Sequence, residues 1–326
     1  MPPKVLVTGA AGQIGSELVT LLRKEHGEEN VVATDKAVTR AQASSGVLEP
    51  LDVMHLSSVE RAMKAHRVDT VYHLAAILSA VGEANPDLAW DVNMDGLKNV
   101  LDACSRLGVE RVFWPSSIGV FGPDAPKVRA PQNTALNPTT MYGVTKVAGE
   151  LLCDYYSRKH GLDVRSVRFP GLISSEAKPG GGTTDYAVEI FYSAMQAGSY
   201  VCFVSEKTTL PMMYMPDALR AAATITEAPP GRVRLHTAYN LGAMSFSAGE
   251  LAAEIRKHLP SFTVTYAPDS RQAIADSWPQ SVDDSPARRD WGWKEEYGLS
   301  GMVTDMLAAL ERKLGQKTFN ASNAPR

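Results

Sequence analysis

At 326 residues the chain is about twice the length of a typical domain, so it encodes two domains or one elaborated one. Hydrophobic residues make up 44% and charged residues 21%, ordinary values that exclude a disordered, collagenous or wholly membrane-spanning chain. With a net charge of −3 and no long basic run, neither nucleic acid nor a membrane surface is an expected partner.

In chain order, short β-branched runs alternate with longer helical patterns. Strands are expected at 5–8, 31–34, 70–74, 111–115 and 164–168, with helices at 14–26, 59–66, 91–107 and 141–160. This alternation predicts an α/β fold with a doubly wound, Rossmann-type parallel sheet. In 141–160, Val144, Val147, Leu151, Leu152 and Tyr155 fall near a 3.6-residue period, so that apolar face is expected to pack. After Arg168 the rhythm breaks into a loop-rich region with Pro170, Gly171, Pro179 and the run Gly180, Gly181, Gly182. A helix at 215–226, a strand at 237–241 and helices at 247–258 and 299–314 follow, the last two flanking a Trp/Pro-rich stretch at 278–293. The expected organisation is a cofactor domain over 1–175 that reclaims 214–242, a smaller interleaved C-terminal substrate cap over 176–213 and 243–314, and a flexible tail at 315–326.

Cys104, Cys153 and Cys202 are widely spaced and fit neither a disulfide framework nor a zinc site, so no metal is expected. The N-terminus runs directly into Val5, Leu6 and Val7 without a secretory pattern, which points to the cytoplasm.

Three features carry chemistry. Gly9, Ala10, Ala11, Gly12, Gln13, Ile14 and Gly15 follow the first strand and open the first helix, where glycines permit a turn, close backbone approach to a pyrophosphate and tight helix packing. A plain glycine turn has the same look. Asp35, 20 residues after Gly15 at the end of the second strand, suits an adenosine ribose hydroxyl and would repel a 2′-phosphate, favouring NAD over NADP. Tyr142 and Lys146 stand four residues apart on one helix face, where the lysine can stabilise a phenolate whose reference pKa is about 10. Such a pair also occurs on plain exposed helices, but the fourth strand ends in Pro115, Ser116 and Ser117, bringing a hydroxyl to the sheet edge where ligands bind.

Together GAAGQIG (9–15), Asp35, HLAA (73–76), Asn93, PSSIGVFG (115–122), YGVTK (142–146) and MPDALRAA (215–222) resemble the extended short-chain dehydrogenase/reductase superfamily, over roughly residues 4 to 312. Within it, RFPGLISSEAKPGGGTTDYAVEIF (168–191) and SWPQSVDDSPARRDWGW (277–293) resemble the L-threonine 3-dehydrogenase branch, related to UDP-galactose 4-epimerases. The resemblance implies NAD as cofactor, L-threonine as substrate, no metal, and oxidation at C3 to 2-amino-3-oxobutyrate. It makes Tyr142 the general base, Lys146 its electrostatic partner and Ser117 the holder of the reacting hydroxyl, with Ser116 a second contact. Cofactor contacts are expected from Gly9, Gly12, Gln13, Ile14, Gly15, Asp35, Asp52, Leu74, Ala75, Ala76, Asn93 and Pro170, besides Tyr142 and Lys146. Substrate contacts are expected from Ser79, Gly180, Thr183, Thr184 and Trp278, besides Ser117 and Tyr142. A homodimer pairing 91–107 and 141–160 across a two-fold is implied as well.

The loop departs from GxGxxG toward the superfamily's GxxGxxG, and Phe121 stands where sugar-nucleotide epimerases commonly carry tyrosine. The competing readings are a nucleotide-sugar epimerase or dehydratase and a non-catalytic NAD sensor. His73 reads as a buried strand-end residue, Arg168 as a salt-bridge partner below the site, and Met212, Met213 and Met215 as packing.

Overall fold

The computed structural model describes residues 2–37, 46–177 and 180–315; most of the expected tail, and Pro179, lie outside them. The first half runs β1 (Val5–Thr8), α1 (Gln13–His26), β2 (Val31–Asp35), β3 (Leu48–Pro50), α2 (Leu56–His66), β4 (Thr70–His73), α3 (Ser79–Ala84), α4 (Pro86–Trp90), a π-helical turn (Asp91–Asp95), α5 (Gly96–Leu107), β5 (Arg111–Ser117), α6 (Met141–His160) and β6 (Asp163–Phe169). The second continues through β7 (Gly171–Ile173), α7 (Tyr186–Ala197), β8 (Ser199–Cys202), β9 (Thr209–Tyr214), α8 (Met215–Glu227), β10 (Tyr239–Asn240), β11 (Met244–Ser247), α9 (Ala248–His258), β12 (Thr263–Tyr266), α10 (Arg271–Ser277), α11 (Ser285–Trp291) and α12 (Leu299–Leu314).

Seven strands form one parallel sheet in the order β10-β6-β5-β4-β1-β2-β3. Val5, Leu6 and Val7 are all buried, as expected for a central strand covered by helices on both faces. Leu18 and Leu22 of α1 and Ala218, Ala222 and Ile225 of α8 join the core on one face. Val59 and Met63 of α2, Val100 and Leu101 of α5, and Cys153 and Tyr156 of α6 cover the other. Strand order reverses between β1 and β4, which opens a crevice at their C-terminal ends.

The helix α8, which the late MPDALRAA motif opens, is fixed at both ends. Asp217 in the first turn is fully buried and accepts the amides of Glu296 and Tyr297 at 3.1 Å. At the other end the buried Arg165 donates to the carbonyls of Ile225, Thr226 and Ala228 at 2.5–2.8 Å, a cation placed where helix carbonyls lack partners.

Beyond the main sheet, β11-β9-β7 and β12-β8 form two small sheets that pack with α7, α9 and α12 around a third core. The two parts share their borders. β7 pairs with β9, whereas Trp291 and Trp293 pack with Tyr239 against the main sheet.

Several expectations need correction. The expected strand 70–74 stops at His73, leaving Leu74 in the loop, and 111–115 extends to Ser117 because all seven residues pair with β6. The helix expected at 91–107 starts earlier, at Pro86, and widens into a π-turn at Asp91–Asp95. The strand expected at 237–241 shrinks to Tyr239–Asn240. Most telling is α6, whose expected apolar packing face is largely outside. Val144, Leu151 and Tyr155 are exposed at 40%, 63% and 51%, while Tyr142, Lys146, Glu150 and Cys153 are buried.

Candidate active site

The crevice begins at the glycine loop. Gly9 ends β1 with φ +71°, and a β-carbon there would stand 2.6 Å from the backbone nitrogen of Ala75. Gly15 lies so close to the loop that its β-carbon would meet the Gly9 carbonyl oxygen at 2.2 Å. The loop is held open at its rim by the Asp35 carboxylate, which accepts the Ala11 amide at 3.0 Å. The side-chain nitrogen of Gln13 is buried with no hydrogen-bond partner among the described residues, and Gln13 lines the crevice. A backbone cradle backed by an unspent donor fits a dinucleotide's phosphates.

The facing wall is built by β5 and α6, which meet residue by residue. The amine of Lys146 donates to the carbonyl of Pro115 at 2.7 Å, and the Ser116 hydroxyl donates to Glu150 at 2.6 Å. Ser117 lies close enough to the Tyr142 phenol to favour its ionised form, and accepts the Gly119 amide at 3.1 Å. Thus three successive strand residues engage α6 residues spaced four apart, the spacing that stacks side chains on one helix face. Thr140 caps the helix by accepting the Gly143 amide at 3.1 Å.

Burial dominates the electrostatics. It pushes the Tyr142 phenol up to about 12, opposed by the Ser117 hydroxyl. Burial likewise pulls the Lys146 ammonium down to about 8, opposed by Cys153 and Glu150. The Lys146 amine lies 4.5 Å over the Trp114 ring and 5.5 Å from the Tyr142 ring centroid. His73 is fully buried with Nδ1 2.7 Å from the Thr8 hydroxyl, and burial followed by the charge of Lys146 lowers it to about 3. Arg168 forms a two-pronged ion pair with Glu150 at 2.7–2.8 Å, as a residue below the site should.

A cleft of about 210 Å³ joins these walls. It brings together Gly9, Gly12, Gln13, Ile14, Gly15, Leu74, Ala76, Ser79, Ser116, Ser117, Tyr142, Lys146, Pro170, Thr183, Thr184 and Trp278. Asp35, Asp52, Ala75, Asn93 and Gly180 do not line it. Asp52 accepts the Met54 amide, which together with Lys36 at 3.2 Å holds its carboxyl below the usual range against the effect of burial. Asn93 braces the loop after β4 by bonding both backbone groups of Ile77 and the Thr145 hydroxyl. Gly180 lines an adjoining recess with Ala11, Gly12, Gln13 and Leu78. The sequence reading missed Leu78, Ile118, Leu172 and Asp185 in the cleft wall. Asp185 sits inside the quoted GGGTTDYA stretch and accepts the amides of Gly181 and Gly182 at 2.8 and 2.7 Å, so its signal was present.

Residues 5–242 match the NAD dependent epimerase/dehydratase family, and the chain belongs to it. It is therefore an NAD-dependent enzyme of the extended short-chain dehydrogenase/reductase type, with the doubly wound fold its sequence announces. The structure of a GalE-like L-threonine dehydrogenase from Cupriavidus necator in holo form is 50% identical, with 94% of this chain and 100% of that chain covered and a TM-score of 0.92. L-threonine dehydrogenase from Clostridium difficile is 49% identical, covering 96% and 98% of the two chains with a TM-score of 0.93. An uncharacterized epimerase/dehydratase of Staphylococcus haemolyticus is 49% identical over 95% of this chain and 98% of its own length.

Proposed function

We propose that the protein oxidises L-threonine at C3 to 2-amino-3-oxobutyrate with NAD. The observation that carries this is the small, hydroxyl-rich wall at the start of α7, supported by the threonine dehydrogenases named above. The Ser79 hydroxyl lies 3.2 Å from that of Thr183 and accepts the Thr183 amide at 3.3 Å. Thr184 turns its methyl to Gly171, where a β-carbon would stand 2.7 Å from it, so no bulk can enter there. The positive end of the α7 dipole favours an anion beside these residues, which suits the carboxylate of an amino acid.

In this reading Tyr142 takes the proton of the substrate hydroxyl, Lys146 stabilises the phenolate, and Ser117 fixes the hydroxyl oxygen. Gly9, Gly12, Gln13, Ile14, Gly15, Leu74, Ala76 and Pro170 hold the cofactor along the crevice, with Asp35 at the adenosine end. Bound NAD supplies the hydride acceptor. The sheet with 1–175 and 214–242 serves as the cofactor-binding part, the rest as the substrate cap, and Trp278 shields the cleft. The measurement that tests the reading is NADH formation across small 3-hydroxy amino acids and sugar nucleotides. Conversion of UDP-galactose without net NADH, and none of L-threonine, would establish instead the epimerase reading that the staphylococcal relative's name suggests.

Replacing Asp35 by Ala removes the ribose partner and frees the Ala11 amide; a weakened NAD Kd in a fluorescence titration is expected. Thr184→Ala is expected to raise the threonine KM several-fold with the NAD KM unchanged, read from initial rates; equal effects on both ligands would remove Thr184 from the substrate site.

We assign the protein to the cytoplasm; no helix among the described residues is long and apolar enough to cross a membrane. We also propose a homodimer through the outward face of α6. Its exposed Val144, Leu151 and Tyr155, together with Leu88 and Trp90 of α4 beside it, form an apolar surface that a second copy would cover. The proposed pairing runs through 91–107 and 141–160; the apolar side of α5 packs on the sheet, so the exposed apolar residues there come from α6 and the adjoining α4. Light scattering at working concentration is expected to give twice the chain mass, and Trp90→Glu half of it.

A further inference from the structure

We infer that Gly119 is a positioning residue that sets the separation of Ser117 and Tyr142; the inference deepens the proposed reaction and rests on the roles given there to those two side chains. Gly119 lies in the single 3-10 turn Ile118–Val120 that follows β5. Its amide donates to the Ser117 hydroxyl at 3.1 Å, fixing one lone pair and leaving the hydroxyl's hydrogen and second lone pair for other partners. Its α-carbon faces the tyrosine. A β-carbon built there stands 3.1 Å from both Cδ1 and Cε1 of the Tyr142 ring and 3.5 Å from the Ser117 hydroxyl oxygen. Carbon atoms settle at about 3.5–4.0 Å, so the ring would have to withdraw by a few tenths of an ångström.

The backbone of the turn also packs closely on the first turn of α6. The Gly119 carbonyl oxygen is so close to α6 that a β-carbon on Gly143 would meet it at 2.3 Å, and that same β-carbon would meet the Pro138 ring at 2.5 Å. The turn is thus wedged between the two reacting side chains and the first turn of α6. A new methyl group at Gly119 therefore presses first on the Tyr142 ring, its nearest neighbour at 3.1 Å. Gly119 does not need glycine for its backbone, because its φ is outside the left-handed region. Its missing side chain matters only for what it leaves beside the phenol. That separates it from Gly9, where the turn itself demands glycine.

The test is Gly119→Ala, with Gly301→Ala as the control, since Gly301 in α12 has open space around its β-position. Misplacing a reacting group by about 1 Å costs on the order of a hundredfold, so a displacement of a few tenths is expected to lower kcat about tenfold. The KM for threonine, the NAD Kd and the Tm should stay within error, and the control should match wild type. NMR of ring-labelled tyrosine supplies a readout that does not depend on turnover. The Tyr142 signal, assigned by its loss in Tyr142→Phe, should move in Gly119→Ala while the other tyrosines stay. An unmoved Tyr142 signal overturns the inference, as does an unchanged kcat, or a kcat loss that comes only with lost NAD binding and a lowered Tm. If wild type itself leaves L-threonine untouched, the proposed substrate fails, and the NMR shift alone then decides the role of Gly119.

Discussion

Tyr142→Phe should lower kcat for threonine oxidation by about a thousandfold or more while leaving NAD binding intact, because it deletes one oxygen atom and the only proton acceptor proposed at the reacting carbon. The ring keeps its packing, so a parallel fall in Tm is not expected. Its pH dependence follows from the same environment. A buried phenol held up to about 12 is protonated at neutral pH, so the active fraction grows with pH, up to tenfold per unit. The phenolate is stabilised only while Lys146 is charged. With that ammonium drawn down to about 8 by burial, its charge fades above that pH and the stabilisation fades with it. The wild-type kcat/KM is therefore expected to climb from acid to near pH 8 and then level off. The residual activity of Tyr142→Phe should lack the climb. A Tyr142→Phe protein that keeps the full oxidation rate would remove Tyr142 as the base, whereas a wild-type protein that binds NAD and turns over neither L-threonine nor a sugar nucleotide would point to the NAD-sensor reading.

The main sheet was legible because its rules are local and repetitive. Five buried β-branched runs separated by helices leave few topologies for a parallel sheet, and the glycine loop marks which strand is first. β3 escaped notice because three residues, Leu48 to Pro50, offer no period to read and owe their place to pairing with β2. The small strands β7, β8, β9, β11 and β12 were hidden for a related reason. Each has three to six residues whose partners lie up to scores of positions away, so their pairing is a property of tertiary contact.

For the site, spacing put Tyr142 and Lys146 on one helix face, and the fold brings both to the cleft. The apolar period of α6 misled because it marks a face left outside the chain's own core, while the inward face carries Tyr142, Lys146, Glu150 and Cys153. Hydrophobic periodicity reports what will be covered, and a second copy can do the covering as well as the sheet. Residues such as Asn93 and Arg168 were legible as neighbours but not by partner, since Ile77, Thr145 and Glu150 reach them only through the fold.

Glu150 is the position where the site and the stability of the fold are most tightly joined. Its carboxylate is 2% exposed and is shared by Ser116 and by two nitrogens of Arg168, itself 4% exposed and bound to Asn240 at 3.0 Å. Exchanging such a pair for well-packed apolar side chains can be neutral, but removing one partner strands the other charge in the core. Glu150→Ala is therefore expected to cost about 3–5 kcal/mol in urea unfolding, because Arg168 would be left without its anion and a cavity would open under β5. Glu150→Gln should cost less, since an amide oxygen can still accept from Ser116. A Glu150→Leu/Arg168→Met double variant should recover much of the loss if the penalty is the unpaired charge. Failure of the double variant to recover any would mean that the network's hydrogen bonds to Ser116 and Asn240, and not charge pairing, hold β5 and β6 to α6.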